Sequence, residues 1–167
     1  MKRHVFFLML TGSLLTLGGC TIERNETQVR SVNLLFDFRD ASFFGSVASS
    51  AFAVPEVTRS VADNGAVLMY FREQGTWTAL PYTFGVESRD LAAVDFTVSL
   101  GFAFETSTIE FFTELSSDAD VVWDDALSLL PLQYELKAVI INDRSFRKNG
   151  PDPNNYEAVR DFYGLTD

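Results

Sequence analysis

Beyond residue 20 the sequence has no cysteine, and beyond residue 4 no histidine. Without histidine there is no Ser-His-Asp or Cys-His relay and no imidazole for zinc or iron. One cysteine cannot form a disulfide within the chain. Carboxylates, hydroxyls, lysine and arginine are what remains for chemistry, and no cofactor is expected. Positive charge is also scarce: 13 Lys and Arg stand against 23 Asp and Glu, a formal charge of −10 over 167 residues. An acidic body repels phosphate backbones, so nucleic acid is not an expected partner. Internal repeats, low-complexity segments and a regular set of membrane strands are missing as well.

What is present begins with an address. Lys2 and Arg3 precede an apolar run from Val5 to Leu17, broken only by Thr11, Gly12, Ser13 and Thr16. That run is shorter than the ~20 apolar residues a membrane helix needs. A basic start, a short apolar core and small residues before a cut describe a secretory signal peptide. Leu17-Gly18-Gly19-Cys20 resembles the lipobox of bacterial lipoproteins. The resemblance implies that Cys20 receives a diacylglycerol and becomes the acylated first residue after cleavage. Residues 1–19 are then the signal peptide, 20–28 a lipidated tether, and 29–167 one domain. Cleavage removes two basic residues and no acid, which leaves 148 residues with a formal charge of −12. Thr21 after the cysteine, by resemblance to proteobacterial lipoproteins, implies an outer-membrane destination. The membrane is therefore an expected partner through the lipid, on the periplasmic or the outer surface.

From Val29 the apolar pattern takes period two, the signature of strands. Strands are expected at Val32–Phe38, Phe44–Val54, Ala66–Arg72, Thr76–Phe84, Ala93–Phe104, Thr108–Leu115 and Tyr134–Ile141. Ala66–Arg72 is apolar on both sides, as in a strand covered on both faces. Pro81 within Thr76–Phe84 marks an edge or a bulge. Val57–Ala62 reads as a helical turn, and Ser116–Leu132 as a short helix or a crossing loop. Asn154 and Glu157 form a capping-box pattern before Tyr156, Val159, Phe162 and Tyr163, with Gly164 as the stop. The expected architecture is all-β: a single antiparallel β-sandwich of about seven strands with a short C-terminal helix. A barrel is the alternative.

The block Asn64-Gly-Ala-Val-Leu-Met-Tyr-Phe-Arg-Glu-Gln-Gly-Thr-Trp-Thr-Ala-Leu-Pro-Tyr-Thr-Phe84 resembles a group of secreted β-domains and lipoproteins of the Bacteroidota. The shared pattern is a turn with Gly, an apolar strand ending in Tyr, a short loop, then Trp and Leu-Pro. The likeness in layout runs over residues 29–143. It implies a fold and an envelope location, and it transfers no catalytic residue because the group has no established activity.

Four sets of residues are candidates for a site, each with a plainer structural role beside it. Asp118, Asp120, Asp124 and Asp125 offer hard oxygen ligands for calcium, or are a solvated acidic loop. Asn142, Asp143, Asn149, Asp152, Asn154 and Asn155 offer oxygens for calcium or a sugar, or make turns and caps. Tyr70, Trp77 and Tyr82 form a sugar-stacking platform if their hairpin has an open face, or are core. Asp37, Asp95, Glu110 and Glu114 supply a glycosidase pair, or are the outward side of strands. The resulting expectation is a lipid-anchored, non-enzymatic binding or structural domain of the bacterial envelope, with an envelope protein or a glycan as partner. A carbohydrate- or calcium-binding module and a carboxylate glycosidase are the alternatives.

Overall fold

A computed structural model describes residues 29–87, 96–116, 122–143 and 146–166. The expected signal peptide, Cys20 and the expected tether lie outside these residues. Within them, alternating apolar side chains build two antiparallel sheets packed face to face. The first sheet contains β1 (Val29–Asp37), β4 (Ala66–Glu73), β5 (Thr76–Ala79) and β9 (Gln133–Ile141), in the order β1-β9-β4-β5. The second contains β2 (Ser42–Phe44), β3 (Val47–Ala53), β6 (Tyr82–Val86), β7 (Phe96–Glu105) and β8 (Thr108–Ser116), in the order β2-β3-β8-β7-β6.

The nine strands arise from the seven expected because two expected strands each divide. The Phe44–Val54 run is a hairpin at its start, pairing Phe44 with Val47 around Gly45 and Ser46. Gly45 has φ +57, a conformation open to glycine at little cost. The Thr76–Phe84 run leaves the first sheet after Ala79 and enters the second at Tyr82. Pro81 sits at this crossing, after a cis peptide bond, where its missing N–H removes no ladder bond.

Phe36 and Phe38, Phe71, Phe111 and Tyr134 meet between the sheets, with Phe36 and Phe111 ring centroids 4.8 Å apart. Each fully buried ring of this kind stabilises the fold by roughly 1.5–3 kcal/mol. Helix α1 (Arg59–Asn64) caps one end through buried Val61, and its Thr58 hydroxyl accepts from the Val61 N–H. Helix α2 (Trp123–Leu127) covers another part of the core with Ala126.

A second apolar cluster lies on the outer face of the first sheet. Val139 and Ile141 of β9 and Tyr70 of β4 are buried there under Tyr156 and Val159 of helix α4 (Tyr156–Tyr163). Phe146 of the short helix α3 (Phe146–Asn149) packs beside Tyr163. The expected terminal helix thus docks its 156, 159 and 163 positions, one stripe at helical spacing. Its cap is Asn155 and not Asn154: the Asn155 Oδ1 accepts from Ala158 N–H at 3.0 Å. The Asn154 N–H is instead held by Asp152 Oδ1, in a turn that precedes the helix. Gly164 ends it at φ +64, as expected of a left-handed stop.

Candidate functional site

Helix α4 covers only part of the outer face of the first sheet. Beside its N-terminal half, a cleft of about 540 Å³ opens between α4, the β4–β5 hairpin and the exposed part of β9 and β1. Alternation along β9 sends Glu135 and Lys137 to this face, ahead of Val139 and Ile141. Lys137 lies at the boundary between open sheet and covered sheet. It is 2% exposed, and its Nζ donates to the Tyr156 hydroxyl at 3.0 Å. The same Nζ lies 4.8 Å from the centre of the Trp77 ring and 5.0 Å from that of Tyr156. The Trp77 ring therefore stabilises its charge as a cation–π partner, and the Tyr156 hydroxyl as a hydrogen-bond acceptor.

The rest of the cleft is polar. Arg72, opposite Trp77 in the β4–β5 register, sits 5.8 Å from the Trp77 ring centre and donates to Glu135 Oε2 at 3.0 Å. Glu157 and Arg160 of α4 contribute from the helix side, and Asn33 and Leu35 from β1. Tyr70 fixes the approach to α4, since its hydroxyl donates to the Pro153 carbonyl at 2.8 Å. Burial pushes the Tyr70 phenol above its usual range, with the neighbouring Tyr156 adding to the effect.

The three candidate platform residues do not share a surface. Tyr70 is buried beneath α4, its ring 5.1 Å from Tyr156. Trp77 is half-buried in the cleft wall, 5.8 Å from Tyr156. Tyr82 faces the space between the sheets against Phe71, at 5.2 Å. The separation has a topological cause: the chain changes sheet between Ala79 and Tyr82. Tyr70 and Trp77 do not pair directly, because Tyr70 stands opposite Ala79 and Trp77 opposite Arg72.

Asp124 and Asp125 are exposed in the first turn of α2, and Asp118 and Asp120 lie outside the described residues. Among the described residues no three carboxylates, cysteines or histidines gather as a metal group. The Asn- and Asp-rich loop uses several of its oxygens for structure. Asn142 Oδ1 accepts from the Ser60 hydroxyl, Asp152 makes the turn before α4, and Asn155 caps it. Glu110 and Glu114 share the outer face of the second sheet, opposite Ala51 and Val47. Asp37 lies on the first sheet, across the sandwich, and Asp95 is outside the described residues. Hydrogen bonds from the Arg39 side chain, and then from Gln133, hold the Asp37 carboxyl well below the usual carboxylate range.

Lys137 escaped the sequence reading. Its signal was there: one cation inside the apolar run Leu136 to Ile141. No protein family, curated protein or solved structure matches this chain.

Proposed function

We propose that this chain is a lipid-anchored domain of the bacterial envelope, held to the outer membrane through Cys20, that acts without catalysis by capturing a small ligand in the cleft beside α4. The observation that supports capture is the buried Lys137 at the cleft floor. Taking an ammonium out of water costs several kcal/mol before compensation. An aliphatic residue at 137 would extend the strip formed by Val139 and Ile141 without that cost. A charge placed instead against Trp77 and Tyr156, beside an open cleft, is of use to a ligand. The cleft volume is within the ~300–1,000 Å³ common for small-ligand sites. The anchor rests on the lipobox-like residues 17–20, and the envelope setting also on the resemblance to Bacteroidota lipoproteins.

Capture is tested by melting the protein against a panel of glycans, organic acids and divalent cations, with Trp123→Phe used to isolate Trp77 emission. A true ligand at ~100 times its Kd stabilises the fold by about 2.7 kcal/mol and shifts that emission. No shift across the panel would refute capture. The anchor is tested separately. Cys20→Ala is expected to abolish lipid labelling and membrane association, and unchanged association would refute it.

A further inference from the structure

We infer that the corner of the sandwich formed by β2 and α2 is a protein-docking surface, and that its partner presents an aliphatic or aromatic anchor flanked by Lys or Arg. The surface is separate from the cleft beside α4 and stands whether or not that cleft captures a ligand. Between β2 and α2 lies an open groove of about 320 Å³, walled by Phe38, Phe43, Trp123, Leu127 and Leu132. The Trp123 ring centre is 5.5 Å from those of Phe38 and Phe43, and its Nε1 donates to the Gly45 carbonyl at 3.2 Å. The groove is therefore formed before a partner arrives, which lowers the ordering cost of binding. Apolar exposure concentrates around it. Among the described residues eight large apolar side chains are exposed, and five of them belong to β2, to the ends of α2 or to the link from α2 to β9: Phe43, Phe44, Val122, Leu129 and Leu132. Phe44 is 89% exposed, so the fold gains little from it. Single exposed apolar residues are ordinary, but a group of them around an aromatic groove marks an interaction surface.

The charges at the rim select the occupant. Asp124 lines the groove, Asp125 follows it in α2, and Asp40 is exposed next to Arg39. Arg39, the one cation lining the groove, is already paired with Asp37. Asp124 and Asp125 enter no ion pair among the described residues. Four carboxylates against one guanidinium leave the rim acidic. A surface that lies in a bilayer carries Lys and Arg beside its apolar residues, toward anionic headgroups, and here carboxylates hold those positions. A second copy would bring an identical acidic rim against this one in a two-fold contact, and like charges oppose it. A partner with basic residues around an apolar anchor satisfies both the groove and its rim.

The experiment places the full-length protein in phosphatidylcholine nanodiscs and titrates three fluorescein-labelled peptides by anisotropy, with empty discs as background. The first peptide has lysines flanking a Leu-Phe-Leu centre, the second has glutamates for the lysines, and the third has serines at the centre. The first is expected to bind at least about tenfold tighter than either other, the effect of losing a buried apolar anchor or its charge-assisted contacts. High salt is expected to weaken it, because exposed charges are screened. Leu132→Ser is expected to cost about tenfold with native circular dichroism. Asp124→Asn together with Asp125→Asn is expected to weaken binding and flatten its salt dependence. If Leu132→Ser does not fold, Phe44→Ser decides, since that side chain is exposed. Unchanged affinity in the deciding variant overturns the inference, because the peptide is then held elsewhere. No binding of the lysine peptide, or equal binding of the glutamate or serine peptide, also overturns it. Trp77→Phe leaves Trp123 as the only tryptophan. Quenching of its emission in discs of brominated lipid would give the surface to the bilayer. Two chains per disc in the wild type but one in Phe44→Ser would give it to a second copy. Either result overturns the inference.

Discussion

Single side chains carry opposite lessons in the two clusters of this protein. Tyr134 projects into the core among Phe36, Phe38, Phe71 and Phe111, and its hydroxyl is buried with no hydrogen-bond partner among the described residues. A buried unsatisfied hydroxyl is a cost, so Tyr134→Phe is expected to leave stability unchanged or to raise it by about 1 kcal/mol in urea unfolding. Tyr70 differs by one contact, its bond to the Pro153 carbonyl. Tyr70→Phe removes the donor and leaves that carbonyl unpaired by it, and is expected to cost about 1 kcal/mol by the same measurement. From the sequence these two tyrosines look alike, since each lies in an apolar strand. What separates them is whether an acceptor from elsewhere in the chain arrives at the hydroxyl. The same applies to Lys137, whose strand predicts a buried position and whose partners come from a hairpin and from a helix.

Among the elements, α4 decides the site. Without it Val139, Ile141 and Tyr70 would lie bare on the sheet, and the cleft would have no wall. Its start depends on Asn155, and Asn155→Ala is expected to cost about 1 kcal/mol through the lost cap to Ala158. Its stop depends on Gly164 at φ +64, where added side-chain atoms meet open space. Gly164→Ala is therefore expected to lose about 1–2 kcal/mol from backbone conformation and none from crowding. Hydrogen exchange of the α4 amides would register both changes locally. The helix was legible in sequence because its apolar spacing and terminal glycine are local signals. The choice between Asn154 and Asn155 as cap was not, because adjacent Asn residues offer the same chemistry and Asp152 takes the first. In the second sheet, Gly101 lies under the Phe112 ring of the paired strand, and a Cβ there would sit 2.5 Å from the ring. This contact gives a local reason for glycine within an otherwise continuous alternation.

At the scale of the molecule, the buried phenols couple stability to alkaline pH. Burial, and then the Glu73 charge, push Tyr134 from the usual 10.0 to about 12. Tyr70 and Tyr163 are also raised, both chiefly by burial. The fold favours the neutral phenol, so between about pH 10 and 12 the folded chain holds more protons than the unfolded one. The stabilisation is complete below pH 10 and is lost as pH rises through the folded value. Urea midpoints are expected to be flat from pH 8 to 9.5 and to fall steeply by pH 12, less steeply in Tyr134→Phe. At the acid end Asp37 behaves in the opposite sense. Its contribution is present above the usual 3.8 and is lost as pH falls through its lower folded value.

The sequence by itself determined the all-β class, most strand positions, the apolar faces and the helix at the end. All of these follow from periodicity within a few residues, which a chain cannot hide. The proposed lipid anchor likewise rests on four adjacent residues, 17–20. Tertiary structure alone decided where two expected strands divide, which face Tyr82 takes, and which aromatic residues meet. It also assembled the cleft, joining Arg72 and Trp77 of one hairpin, Glu135 and Lys137 of a distant strand, and Glu157 and Arg160 of the last helix. Such a site depends on long-range strand pairing and helix docking, and these contacts leave no periodic trace in the segments that make them.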